Sequence, residues 1–265
     1  MNPIRLAVAG CCGRMGRAVL RLAAADPAFT VAAAVTVPGD AELGRDAGPV
    51  AGVGSLGVVV SERCEAACDV LIEFTTPGGT LQWARWCAQR GVALVSGTTG
   101  LGEGERAALH EAAARVAVLW APNMSVGVNL LLRLVEQVAR SLDAGWDVEI
   151  VEAHHRQKVD APSGTARALL DAVFAGRGRG AEDAVVYGRS GTPGARRPGE
   201  VGLHALRLGG VIGDHDVHFG SMFEVLTLRH RALSRDAFAA GALRAARWLI
   251  GRGPGLYGMG DVLGV

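Results

Sequence analysis

The run EAHHRQKVDAPSGTA, residues 152–166, gathers proton-handling and anion-holding groups in one place. Ser163, Gly164 and Thr165 stand where a helix opens, so their N–H groups and hydroxyls can seat a carboxylate at its positive end. Lys158 is a mobile cation able to donate to a second carboxylate or to deliver a proton. His154 and His155 bring two imidazoles, the side chain suited to moving protons near neutral pH. They follow an apolar strand in which neighbours point to opposite faces, so both share a site only if the backbone bends there. The substrate that suits such a set is a small polyanion, reduced with proton assistance. Singly, each member has a plainer reading: a core histidine, a helix cap, a solvated Lys158–Asp160 pair.

A second constellation lies near the start. AVAGCCGRMG places Gly10, Gly13 and Gly16 at GxxGxxG spacing between a strand-like run and a helical one. Without Cβ atoms the chain turns sharply, backbone N–H groups approach a phosphate, and the following helix start favours the anion. That context makes it a dinucleotide pattern rather than a structural turn. The acid usually found about 20 residues on, gripping the adenosine ribose, is missing, because the second strand ends AAAVTVPGD with Thr36 and Val37 at that place. No carboxylate there repels a 2′-phosphate, and Arg14 is near enough in sequence to partner one, so NADPH is at least tolerated. FTTP (74–77), SGTTG (96–100) and APNMS (121–125) end three further strands, with small hydroxyl and amide residues suited to a nicotinamide ribose.

The elements that must hold these groups follow from periodicity. To about residue 125, continuous apolar strands alternate with helical stretches, as expected for a doubly wound parallel sheet covered on both faces. SVGVNLLLRLVEQVARSL then reads as a long amphipathic helix with Ser125 as its cap. Beyond it, strands joined by glycine turns and one helix predict a mixed or antiparallel sheet, with LRLGGVIG as a two-residue hairpin. Arg177, Arg179, Arg189, Arg196 and Arg197 fall in a Gly- and Arg-rich stretch and read as solvated loop charges. A last helix runs from about Arg235 to Ile250, with Ser234 as its cap.

The formal charge of +1 provides no field to gather nucleic acid or coat a membrane. No apolar run reaches the roughly 20 residues of a membrane helix, and the amino terminus lacks a basic-then-apolar leader. The five cysteines have no CxxC spacing, which points to reduced thiols in a cytoplasmic chain. Two rivals remain. A nicotinamide-nucleotide-sensing binding protein would keep the glycine turn but needs a basic, DNA-reading face. A metal enzyme would use His215 and His218, which HDVH places on one side of a strand, but no third ligand stands at a recognisable spacing, so no metal is expected. His110, His204 and His230 are given no role.

GCCGRMG, FTTP, SGTTG, APNMSVGVN and above all EAHHRQKVDAPSGTA resemble the 4-hydroxy-tetrahydrodipicolinate reductase family, also called dihydrodipicolinate reductase. The likeness runs nearly end to end, through RLGGVIGDH to GLYGMGDVL. It implies a Rossmann-like α/β domain over residues 1–125, rejoined by 235–265. It also implies an α+β substrate-binding and tetramerisation domain with a mixed sheet over 126–234, and a hinge between the two. It implies hydride transfer from NADH or NADPH to a cyclic dicarboxylate in lysine and diaminopimelate biosynthesis. His154 matches the family's proton donor and Lys158 its second; His155, Ser163, Gly164 and Thr165 match substrate contacts. Gly10, Cys11, Cys12, Gly13, Arg14 and Met15 match the phosphate loop, Gly97, Thr98 and Thr99 the nicotinamide loop, and Ala121, Pro122, Asn123 and Met124 the last cofactor contact. Where the family often carries an acid, sometimes followed by arginine, this chain has Thr36 and Val37.

Overall fold

A computed structural model describes residues 2–178 and 185–265, and Arg179 lies outside them. The chain divides into two compact units, Met1–Val126 with Arg235–Gly264, and Gly127–Ser234 with Val265.

In the first unit β1 (Ile4–Ala9) leads through the glycine turn to α1 (Arg14–Ala25), followed by β2 (Phe29–Val35), α2 (Ala47–Ala51), β3 (Val60–Ser61), β4 (Val70–Glu73), α3 (Pro77–Arg90), β5 (Ala93–Ser96), α4 (Glu103–Ala113) and β6 (Ala117–Trp120). The strands are apolar throughout because both sheet faces are covered, so Leu6, Ala7, Val8 and Ala9 in β1 are all fully buried on alternating sides. Helix α3 has Pro77 at its start, the Thr76 hydroxyl accepting from the Gly79 N–H, and Gly91 in the left-handed region at its end.

The second unit takes up α5 (Val126–Ser141), β7 (Asp147–His154), α6 (Gly164–Arg177), β8 (Val185–Val186), β9 (Val201–Arg207), β10 (Asp214–Gly220) and β11 (Val225–Arg231); α7 (Asp236–Leu249), β12 (Gly255–Tyr257) and α8 (Met259–Leu263) belong to the first. The first sheet runs β12-β6-β5-β4-β1-β2-β3, with every neighbouring pair parallel. Strands are added in opposite directions on either side of β1 and β4, so the crevice beyond those two carboxyl ends is the fold's ligand position. Ala242, Ala245 and Ala246 of α7 share a core with Val19 and Leu20 of α1, their small side chains allowing close approach. Arg235, not Ser234, occupies the cap position of α7 and supplies no side-chain bond.

The second sheet, β11-β10-β7-β9-β8, is mixed: β10 is antiparallel to β7 and β11, while β9 is parallel to β7 and β8. The hairpin expected at LRLGGVIG does not form. Strand β9 pairs with β7 (Val148↔Val201 through His154↔Arg207), which puts β7 between β9 and β10. Gly209, at φ 51°, belongs to a loop that passes the end of β7, where the Leu208 N–H donates to the His154 carbonyl (2.9 Å) and the Arg156 N–H to that of Gly209 (3.3 Å). Two glycines signal a turn here, but the stronger pairing of β9 with a non-sequential neighbour decides its direction. The expectation of solvated arginines also fails in part. Arg189 and Arg196 both pair with Glu149 on β7, and the Arg177 guanidinium donates to the Trp146 carbonyl, while Arg197 is exposed.

Candidate active site

Gly10 sits at φ 74°, and a Cβ there would lie 2.5 Å from the Phe74 carbonyl oxygen at the end of β4. A Cβ on Gly16 would lie 2.1 Å from the Gly10 oxygen. Both positions therefore require glycine, and the loop packs against the two strands that flank the crevice. Gly13 caps α1 with no side chain, leaving the N–H groups at the start of α1 to an anion. These features fit a dinucleotide's pyrophosphate. Cys11 is buried and Cys12 half-buried beside it, their sulfurs 3.7 Å apart; Arg14 is exposed and Met15 half-buried.

Glu73, wholly buried at the end of β4, gathers the neighbouring loops. It accepts from the Thr75 N–H (3.0 Å) and hydroxyl (2.6 Å), the Thr80 hydroxyl (2.8 Å), the Thr98 hydroxyl (2.7 Å) and the Ser96 hydroxyl. One carboxylate thus joins the FTTP and SGTTG segments. Gly97 lies against the Phe74 ring, which a Cβ would approach to 2.1 Å, and Thr99 is exposed next to buried Thr98. The Trp120 indole N–H holds the Thr98 carbonyl (3.1 Å), and the Ala121 N–H holds that of Ser96 (3.2 Å). Pro122 is exposed, the Asn123 side chain accepts from the Ser125 N–H (2.9 Å), and Met124 is buried. The sequence signal for Glu73 is an acid ending the otherwise apolar VLIE.

In the second unit another buried carboxylate, Glu152, organises the motif. Residues 152 and 154 lie on one face of β7, since strand side chains alternate. Glu152 Oε2 bonds His154 Nδ1, and Oε1 accepts from the Ser163 N–H (3.2 Å). The Arg207 guanidinium donates to both oxygens (3.0 and 2.9 Å) and to the Asp160 carbonyl (2.7 Å). Burial alone would raise the Glu152 carboxyl, but the bonds from Arg207 and His154 outweigh it and hold it below the ordinary value. Sequence reasoning gave roles to neither Glu152 nor Arg207; the i, i+2 spacing of Glu152 and His154 was the available signal.

Burial pushes the His154 pKa below the ordinary histidine value; Glu152 draws it up, and Lys158 and Arg207 press it down again. With Nδ1 held by Glu152, Nε2 is the nitrogen left for exchange, next to Gly213, where a Cβ would approach it to 3.2 Å. His155 is half-buried beyond the strand end, with its carbonyl accepting from the Lys158 N–H (3.1 Å). Lys158 Nζ reaches both Asp160 oxygens (2.8 and 2.9 Å). It is the only lysine among the 27 Lys and Arg residues. In a chain that otherwise uses arginine, the one compact ammonium on a flexible stem stands here.

The Ser163 hydroxyl caps α6 by accepting from the Ala166 N–H (3.2 Å), and Gly164 and Thr165 form its first turn. Ser163 Oγ also lies 3.4 Å from Nε2 of His215, whose ring is 5.3 Å from that of His154 and 6.4 Å from that of His230. Burial, helped by His154, lowers the His215 pKa to about 4. His215 and His218 do not share a face as the metal reading required. Three residues apart on a strand, they point oppositely, His215 buried and His218 bonded to the Thr227 hydroxyl (2.9 Å). No group of three potential ligands is found among the described residues.

The chain matches, over residues 4–124, the model described as "Dihydrodipicolinate reductase, N-terminus" and, over 127–263, its C-terminal counterpart. It is 49% identical over 265 residues to the 4-hydroxy-tetrahydrodipicolinate reductase of Thiobacillus denitrificans, covering 99% of both chains. It is 51% identical over 260 residues to that of Rubrobacter xylanophilus, covering 98% of both. A dipicolinate-bound dihydrodipicolinate reductase structure from Paenisporosarcina sp. TG-14 shares the fold, with a TM-score of 0.75, 24% identity, and coverage of 98% of this chain and 99% of that one.

Proposed function

The chain belongs to the dihydrodipicolinate reductase family, and we propose that it reduces 4-hydroxy-tetrahydrodipicolinate, whose hydroxyl leaves as water, or the form already dehydrated, to tetrahydrodipicolinate with NADH or NADPH, in lysine and diaminopimelate biosynthesis. One observation carries this reading: the same buried carboxylate, Glu152, holds His154 by Nδ1 and the start of α6 by the Ser163 N–H. The proton donor and the anion seat therefore keep a fixed relation.

The first unit holds the dinucleotide, with Gly10 to Met15 around the pyrophosphate and Gly97 to Thr99 and Ala121 to Met124 at the nicotinamide end. The dihydronicotinamide supplies the hydride. In the second unit Ser163, Gly164 and Thr165 seat one substrate carboxylate, while His155 and Lys158 bind the rest of the dianion. Lys158 gives up its Asp160 contact for the substrate. The dianion's charge favours protonation of His154, whose pKa is low without it. His154 Nε2 then delivers the proton as the reduced ring gains electron density, with Lys158 as the second donor. Fixed orientation supplies much of the rate.

The second unit also mediates assembly, as a homotetramer. Its edge strand β11 keeps Val225 67% and Leu226 40% exposed, an unpaired apolar edge of the kind that assembly covers. No helix among the described residues is long and apolar enough to cross a membrane. A coupled assay with synthase-generated substrate tests the activity: dinucleotide oxidation should depend on the synthase product, and a rate no higher with it than without would reject the reading.

A further inference from the structure

A dinucleotide fold places a ribose-reading acid at the end of its second strand; in this chain an aspartate, Asp40, follows that end across a turn. Strand β2 ends at Val35, and Thr36, which follows it, is buried. Val37-Pro38-Gly39-Asp40 then forms a β-turn of the type II pattern, with proline first, Gly39 at φ 78°, and the Asp40 N–H donating to the Val37 carbonyl (3.3 Å). The turn folds the chain back. Asp40 Oδ2 accepts from the Thr36 hydroxyl at 2.8 Å, and Oδ1 from the Glu42 N–H at 2.9 Å. The carboxylate therefore sits one hydrogen bond from the position the fold reserves for it.

It also faces the phosphate loop. The Gly10 and Cys11 N–H groups both donate to the Val35 carbonyl (2.9 and 3.0 Å), which ties that loop to the end of β2. Bonds from the Glu42 N–H, the Thr36 hydroxyl and the Cys12 thiol keep the Asp40 carboxyl below the ordinary value, and so ionised at neutral pH. Thr36, Val37 and Pro38, the residues that lead into the Asp40 turn, line a cavity of about 380 Å³ with Gly10, Glu62, Arg63 and Trp83, and Asp40 adjoins it through its bond to the Thr36 hydroxyl. Of the nearby cations, Arg17 is engaged by Glu42 (3.0 Å) and by the Cys12 and Val50 carbonyls, and Arg45 also pairs with Glu42. Arg14 and Arg63 are exposed and have no ion pair among the described residues.

We infer that Asp40 reads the adenosine ribose, accepting from the 2′-hydroxyl of NADH and repelling the 2′-phosphate of NADPH, so that this chain prefers NADH. The inference rests on the first unit being the dinucleotide site, and binding is read without substrate so that the two can fail separately. Titration calorimetry with NADH and with NADPH should give a Kd about tenfold or more lower for NADH in the unaltered chain. In Asp40→Ser, which keeps a small polar side chain and removes the charge, the ratio should collapse toward unity, mainly by tighter NADPH binding. Equal affinities in the unaltered chain, tighter NADPH binding there, or a ratio unchanged in Asp40→Ser would overturn the inference alone, with Arg14 or Arg63 then governing the choice. Binding of neither dinucleotide would remove both the inference and the site.

Discussion

His154→Ala is expected to lower kcat by roughly 10²- to 10⁴-fold, the contribution of a positioned general acid, with the Kd for the dinucleotide essentially unchanged. The separation follows from the architecture, since His154 and the glycine cradle belong to different compact units. The pH profile sharpens the expectation. The donor must carry its proton, and burial sets its pKa in the free enzyme below the ordinary histidine value. Because kcat/KM reports the free enzyme, it should fall as pH rises above that lowered pKa, and His154→Ala should lack this limb. A variant retaining a near-normal kcat would remove His154 from the role.

Acid should destabilise the fold before its carboxylates begin to protonate. Burial sets the His215 pKa at about 4 in the folded chain, against 6.5 for a free histidine. Between those values the unfolded chain binds a proton that the folded chain refuses, so stability is full above 6.5 and is lost as pH falls. The loss reaches roughly 3 kcal/mol near pH 4. His154 and His230, also lowered by burial, act in the same direction. Carboxylates held low, such as Glu152, contribute only below their unfolded value of 4.5, so the window above it isolates the histidines. Urea unfolding between pH 7 and pH 5 should show a falling midpoint, with a shallower fall in His215→Asn. Equal slopes for the two proteins would contradict the assignment.

How far the sequence discloses this molecule depends on whether a feature is local. The parallel sheet was legible because continuous apolar strands and intervening helices are local patterns, and Gly10 and Gly16 because their crowding recurs wherever a strand turns into a helix over a phosphate. The strand end at His154 and the helix opening at Ser163 were legible for the same reason. The partner of β9 was not legible: Gly209 and Gly210 announce a turn, but whether the chain returns beside β9 or crosses β7 is settled by strand pairing remote in sequence. Arg207 was hidden likewise, since it meets Glu152 only through the register of β7 and β9. Asp40 was missed because a spacing rule looks at the strand end, whereas a Pro-Gly turn carries the side chain back over four residues.

The proposed reaction requires that the hydride of a reduced dinucleotide reach the ring of a dicarboxylate bound by the motif that begins at Glu152. Supplying NADH deuterated at the transferred position of C4, with synthase-generated substrate, tests this most directly by mass spectrometry of the product. The expected product carries one deuterium in place of hydrogen per molecule, with unlabelled oxidised cofactor. Product formed without the label, or cofactor oxidised with no labelled product, would contradict it.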